Sequence, residues 1–240
     1  SPIESIKKFH QELTILRRDL HANPEMGFKE LRTSGIVAGA LEALGIEVHR
    51  NIGKTGVVGV IRGKKTDSGR MIGLRADMDA LPIIEENDMA HCSTTSGLMH
   101  ACGHDGHTAI LLGTAKYLAE NKNFNGTAVL IFQPAEEGLG GAKAMLEDGL
   151  FEKFPCDAIY ALHNWPALPA GVIGINPGPM MAAWTSRKLY VVVMLGAPYW
   201  LTATAMLTSW MAPASLAAIW MSGDLRAARS TGFWSAMRWM

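Results

Sequence analysis

One nine-residue stretch, Met99-His100-Ala101-Cys102-Gly103-His104-Asp105-Gly106-His107, limits the fold more than any other part of the chain. Five of its nine residues can bind or orient a metal. A thiolate and an imidazole two positions apart reach one ion when the backbone between them turns sharply, and Gly103 permits that turn. The run from Asp105 to Asn121 carries Ile110, Leu111, Thr114, Ala115 and Leu118 on one face and predicts a helix. Asp105 is the expected N-cap. Cys102 and His104 then sit at the positive end of a helix, where the field favours a thiolate. A buried cysteine beside two solvent histidines satisfies the same local pattern, so the rest of the chain has to decide.

Length and charge narrow the choice. The 240 residues hold one large domain, or one domain with an appendage. Lysine plus arginine and aspartate plus glutamate both number 22, so nothing electrostatic points to nucleic acid as a partner. Cys92, Cys102 and Cys156 form no framework spacing, which fits a reducing compartment with a thiol kept for chemistry. The opening residues Ser1 to Ser5 lack the basic and apolar regions of a signal peptide, and a cytoplasmic location is expected.

In chain order, Ile6, Phe9, Leu13 and Leu16 predict an amphipathic helix over 3–20, broken by His21-Ala22-Asn23-Pro24-Glu25. A second helix is expected over 29–44. Strands follow over 46–51, 56–62 and 70–75. Asp77 and Asp79 leave the third strand. Such a pair suits orienting a metal-bound histidine, but a solvated acidic loop reads equally well. Residues 126–132 form a continuous apolar run short enough for a buried strand, and it ends in Gln133-Pro134-Ala135-Glu136-Glu137. Adjacent carboxylates there are costly unless something neutralises them. A helix over 140–150 and a strand over 157–162 then deliver His163. The pattern is α/β, and it sets Cys102, His104, Glu137 and His163 at strand ends or helix starts. In open α/β sheets the carboxyl ends of strands share one crevice, so four scattered ligands have a geometric reason to meet.

Five stretches carry a family resemblance: Leu16 to Glu25, Arg75 to Pro82, Met99 to Asp105, Gln133 to Glu137 and Leu162 to Pro166. They resemble the hippurate hydrolase and auxin-conjugate hydrolase group of metal-dependent amidohydrolases, which act on N-acyl amino acids. The match covers about residues 1–185. The resemblance implies a zinc-peptidase-like catalytic domain with a central, mostly parallel or mixed sheet flanked by helices. It implies two divalent ions (Zn, Mn, Co or Ni) held by Cys102, His104, Glu137 and His163, with a metal-activated water and Glu136 as general base. Asp77, Asp79 and Asp105 are implied as supporting residues. The substrate implied is a small N-acyl amino acid.

Beyond about residue 186 the chain departs from that pattern. The family continues into a small domain with a Gly-Gly-His motif, often used for dimerisation, and supplies a last histidine ligand near its C-terminus. Residues 187–240 show neither, and the catalytic domain is expected to be partial. From Leu189 to Gly223 no side chain is charged, and six of the seven tryptophans lie from Trp184 onward. A membrane span fits the length of the uncharged run, but Pro198 and Pro213 stand against it. A reading-frame slip is the other explanation. Codons for Val191-Val192-Val193-Met194-Leu195, read two bases later, permit Gly-Gly-His-Ala. On either account residues 189–240 are expected not to form the small domain.

Overall fold

The computed structural model describes residues 2–169, 172–175 and 189–195. Its centre is a mixed sheet built from β1 (Glu47–Ile52), β2 (Gly56–Arg62), β3 (Met71–Asp77), β4 (Thr127–Gln133), β5 (Ala158–Asn164), β6 (Ile173–Ile175) and β7 (Leu189–Leu195). The strands lie in the order β1-β2-β4-β3-β5-β7-β6. β3 runs parallel to both β4 and β5, and β5 runs parallel to β7. The pairs β1–β2, β2–β4 and β6–β7 are antiparallel. Asp77 stands opposite Gln133 at the ends of β3 and β4. The carboxyl ends of the parallel strands therefore open on one side of the sheet.

The apolar run of β4 explains the layering. Ala128, Leu130 and Phe132 face one core with Leu74, Ile110, Leu111 and Leu118. Val129 and Ile131 face the opposite core with Val58, Met145, Leu150 and Phe154. A strand whose successive side chains point to opposite faces has to be apolar throughout when both faces are covered. The first core is covered by α3 (Leu31–Ala43) and α4 (His104–Glu120), the second by α5 (Gly141–Glu147) and α6 (Leu150–Lys153). Burial of each large side chain, such as Phe132 or Leu130 at 0% exposure, contributes about 1.5–3 kcal/mol.

Several boundaries differ from expectation. The helix expected over 3–20 is two, α1 (Pro2–Lys7) and α2 (His10–Ala22). Phe9 leaves helical geometry while staying buried against Ile6 and Leu13, so the apolar spacing survives the break. The helix expected over 140–150 divides into α5 and α6 because Gly149 adopts a left-handed φ of 79°. Asp105 is not the N-cap of α4. Gly103 holds that position with φ 87°, and Asp105 lies buried in the first turn. The opening of the divergent tail, β7, joins the main sheet between β5 and β6. The remainder of 187–240, with most of the stretch weighed as a membrane span, lies outside the described residues.

Candidate metal centre

His104 opens α4 and is the hub of the site. Its Nδ1 lies 3.2 Å from Asp79 Oδ1, the acceptor that fixes the ring. Its Nε2 is buried without a hydrogen-bond partner. That nitrogen points among carboxylates, 3.6 Å from Asp77 Oδ2, 3.9 Å from Glu136 Oε2 and 3.9 Å from Glu137 Oε1. His163, near the end of β5, repeats the device. Its Nδ1 donates to the Asn164 carbonyl at 2.7 Å, which leaves Nε2 facing Cys102 Sγ at 3.3 Å. Both imidazoles thus have Nδ1 tied to an oxygen and Nε2 turned toward other candidate ligands, the arrangement that fixes the tautomer of a metal-binding histidine.

Asp77 and Asp79 are 0% and 1% exposed, so the solvated-loop reading of this pair is excluded. Asp77 Oδ2 accepts from Arg75 Nη1 at 2.7 Å, and Oδ1 pairs with His107 Nδ1 at 2.6 Å. Asp79 Oδ2 accepts the Glu137 backbone N–H at 3.0 Å, so one carboxylate ties the ring of His104 to the loop after β4. Gly103 makes room for this packing. A Cβ there would lie 2.7 Å from Asn164 Oδ1, and the φ of 87° already favours glycine.

Charge follows from burial. Desolvation pushes Asp77 up, but His104, Arg75 and His107 hold its carboxyl well below the usual range. Burial would lower the pKa of His104, yet Asp77, Asp79 and Cys102 push it to about 11. Burial opposes the Cys102 thiolate, and the neighbouring imidazoles of His104 and His163 bring the thiol below its ordinary value. Glu136 moves the other way, raised by burial and by Asp77. The cluster is rich in negative charge, which a bound cation would balance. Among the described residues three sets bring ligand atoms within 4.8 Å of one another: Cys102, His104 and His163; Asp77, His104 and His107; His104, Glu136 and Glu137. A sulfur, imidazoles and carboxylates in such sets fit Zn, Mn, Co or Ni better than Mg.

All the expected site residues except Asp105 gather around His104. Glu137 groups with Glu136, and Cys102 groups with His163. Asp105 turns to the other side, where its Oδ2 meets Arg17 Nε at 2.8 Å and His21 Nδ1 at 2.8 Å. Sequence reasoning placed Arg75, His107 and Asn164 within its motifs but gave none of them a role in the site. The three-residue spacing of His104 and His107 on one helix was the available signal.

His21 supplies a pH test of this second network. Its Nε2 also lies 3.1 Å from Glu85 Oε1. The bond to Asp105 raises its pKa against the opposing effect of burial. A raised histidine contributes stability that is complete below its unfolded value, about 6.5, and is lost as pH rises through the folded value. His21→Gln is therefore expected to destabilise most below about pH 6 and least in alkaline solution. Urea unfolding across that range measures it, and a pH-independent difference would refute the charged pairing.

Fold and site together define an α/β protein with a buried cluster of thiol, imidazole and carboxylate groups at the carboxyl ends of parallel strands. Residues 73–238 match the model of Peptidase family M20/M25/M40, and the chain belongs to that family. It is 52% identical over 190 residues to a hippurate hydrolase of Campylobacter jejuni, covering 79% of this chain and 49% of that protein. It is 46% identical to thermostable carboxypeptidase 2 of Saccharolobus solfataricus, covering 78% and 47%. A crystal structure of a dinuclear metal-binding M20 peptidase from Bacillus subtilis superposes with a TM-score of 0.68 at 44% identity, over 72% of this chain and 48% of that one. The chain spans about half the length of the curated relatives it matches. Among the described residues no helix is long and apolar enough to cross a membrane.

Proposed function

We propose that the chain carries the catalytic half of a metal-dependent amidohydrolase that cleaves the amide bond of small N-acyl amino acids of the hippurate type. The observation that carries this reading is the orientation of His104 and His163, each with Nδ1 held by an acceptor, so that His163 groups with Cys102 and His104, and His104 groups in turn with Glu136 and Glu137. Cys102, His104, Glu137 and His163 would hold the ions, two in number. When bound, the ions supply Lewis acidity, which lowers the pKa of an attacking water toward about 7 and polarises the amide carbonyl. Glu136 would take a proton from the attacking water and, as the amide C–N bond breaks, give it to the leaving amine. The raised proton affinity of Glu136 supports the role, since a base is most effective with a pKa near the working pH. Asp79 orients His104 and the Glu137 backbone, and Asp77 pairs with Arg75 and holds the His107 ring. Asp105 anchors the first turn of α4 through His21 and Arg17. The likeness to a hippurate hydrolase supports a benzoylglycine-type substrate. The free cysteines support a reducing, cytoplasmic setting.

Glycine release from N-benzoylglycine is the test. Turnover is expected to disappear on chelation and to return with Mn, Zn, Co or Ni. A second reading is metal binding without turnover, favoured by ligand sets that account for metal uptake by themselves. Stoichiometric metal with no glycine release would select it. A chain that takes up no metal would defeat both.

A further inference from the structure

The loops that carry the candidate ligands are supported from behind by one short segment, Glu25 to Glu30. Glu30 is 0% exposed, a rare position for a carboxylate. Its Oε1 accepts the backbone N–H of Ala135 at 2.8 Å, and its Oε2 accepts the Thr55 hydroxyl at 2.5 Å. Ala135 immediately precedes Glu136 and Glu137 and sits at φ 49°, a left-handed conformation uncommon for alanine. Gly27 packs on the same residue, since a Cβ there would lie 3.0 Å from both Cα and Cβ of Ala135. The carbonyl of Glu25 accepts the N–H of Ala80 at 2.9 Å, beside Asp79. The Glu25 carboxylate accepts the N–H groups of Arg32 and Thr33 at 2.9 and 2.7 Å, which fixes the start of α3 next to Glu30.

From this geometry we infer that Glu30 is a positioning residue, whose buried carboxylate holds Ala135 in its left-handed turn and so sets where Glu136 and Glu137 stand relative to His104. The inference rests on the metal-centre reading above. The bond to Ala135 crosses 105 positions of sequence. It is made to the backbone, so length and hydrogen-bonding shape matter, and negative charge does not. Glutamine offers an oxygen at the same reach to accept from Ala135, and an N–H that donates to Thr55 Oγ1 in place of the bond Thr55 now donates. Aspartate keeps the charge but falls short by one carbon. Alanine removes both bonds.

The test is titration of the full chain with cobalt(II) alone, followed by visible absorption, for the parent, Glu30→Gln, Glu30→Asp and Glu30→Ala. The parent and Glu30→Gln are expected to bind alike. Glu30→Asp and Glu30→Ala are expected to lose about tenfold or more in affinity for the ion held on the carboxylate side. The thiolate-to-cobalt absorption from Cys102 is expected to persist in all four. Thermal melts identify the temperature at which each variant is folded. Unchanged cobalt affinity in folded Glu30→Ala overturns the inference alone, even if that variant melts earlier. A loss in Glu30→Gln equal to that in Glu30→Asp overturns it in favour of a charge role. If Glu30→Ala does not fold, the contrast between Gln and Asp decides the question. Absence of cobalt binding in the parent overturns the metal-centre reading, and this inference with it.

Discussion

Glu136→Gln is expected to lower kcat for N-benzoylglycine by about 10²–10⁴-fold while leaving KM and metal content nearly unchanged. The substitution keeps the size and outline of the side chain and removes its negative charge and its capacity to take a proton. The size of the loss is what a positioned base contributes to a proton transfer, about 3–5 kcal/mol of barrier. One observation separates Glu136 from its neighbour. Its side chain is 39% exposed against 27% for Glu137, so it is the one nearer to entering solvent. Steady-state kinetics with metal analysis of the same samples measures the effect. A variant within a few fold of the parent would remove Glu136 from the chemistry. A variant that had lost metal would make it a ligand instead.

The fold was legible where neighbouring residues decide it. The unbroken apolar run of β4 needs cover on both faces, and the two cores provide it. The carboxylates after β4 were legible as a problem of charge, and His104 Nε2 lies 3.9 Å from each of them. What spacing could not supply was the choice between alternatives that are locally equal. Asp77 and Asp79 read as a solvated loop or a buried pair until Arg75, His107 and His104 surrounded them. Asp105 fits the local rule for a helix cap. It lost that place because Gly103 turns left-handed beneath Asn164, and because its carboxylate is drawn to His21, 84 positions away. Glu30 gave no signal at all, since its partner is a backbone N–H in a distant loop. The break between α1 and α2 was hidden because Phe9 keeps its buried position through the irregular turn.

The turn between β4 and α5 shows most directly how little room the candidate site has to adjust. Gly141→Ala is expected to destabilise the chain by roughly 3 kcal/mol and to reduce metal uptake as well. A Cβ at Gly141 would overlap the Pro134 carbonyl oxygen and lie 3.0 Å from the Ala135 oxygen. Relief would require the Pro134–Ala135 peptide to move. Ala135 is held by Glu30 at its N–H and by the Gly141 N–H at its carbonyl, at 2.8 and 2.9 Å. Two residues on, the Glu137 N–H is held by Asp79 at 3.0 Å. The strain therefore falls on the two carboxylates themselves. For a chain of this size the melting temperature should drop by about 6–12 °C. Gly140→Ala is the control. Its φ of 77° also disfavours alanine, but a Cβ there meets nothing closer than Lys143 Cβ at 4.0 Å. That change should cost about 1 kcal/mol, from backbone conformation alone. If the two variants melt together and bind metal equally, close packing around Pro134 does not set the site, and its rigidity has to come from elsewhere.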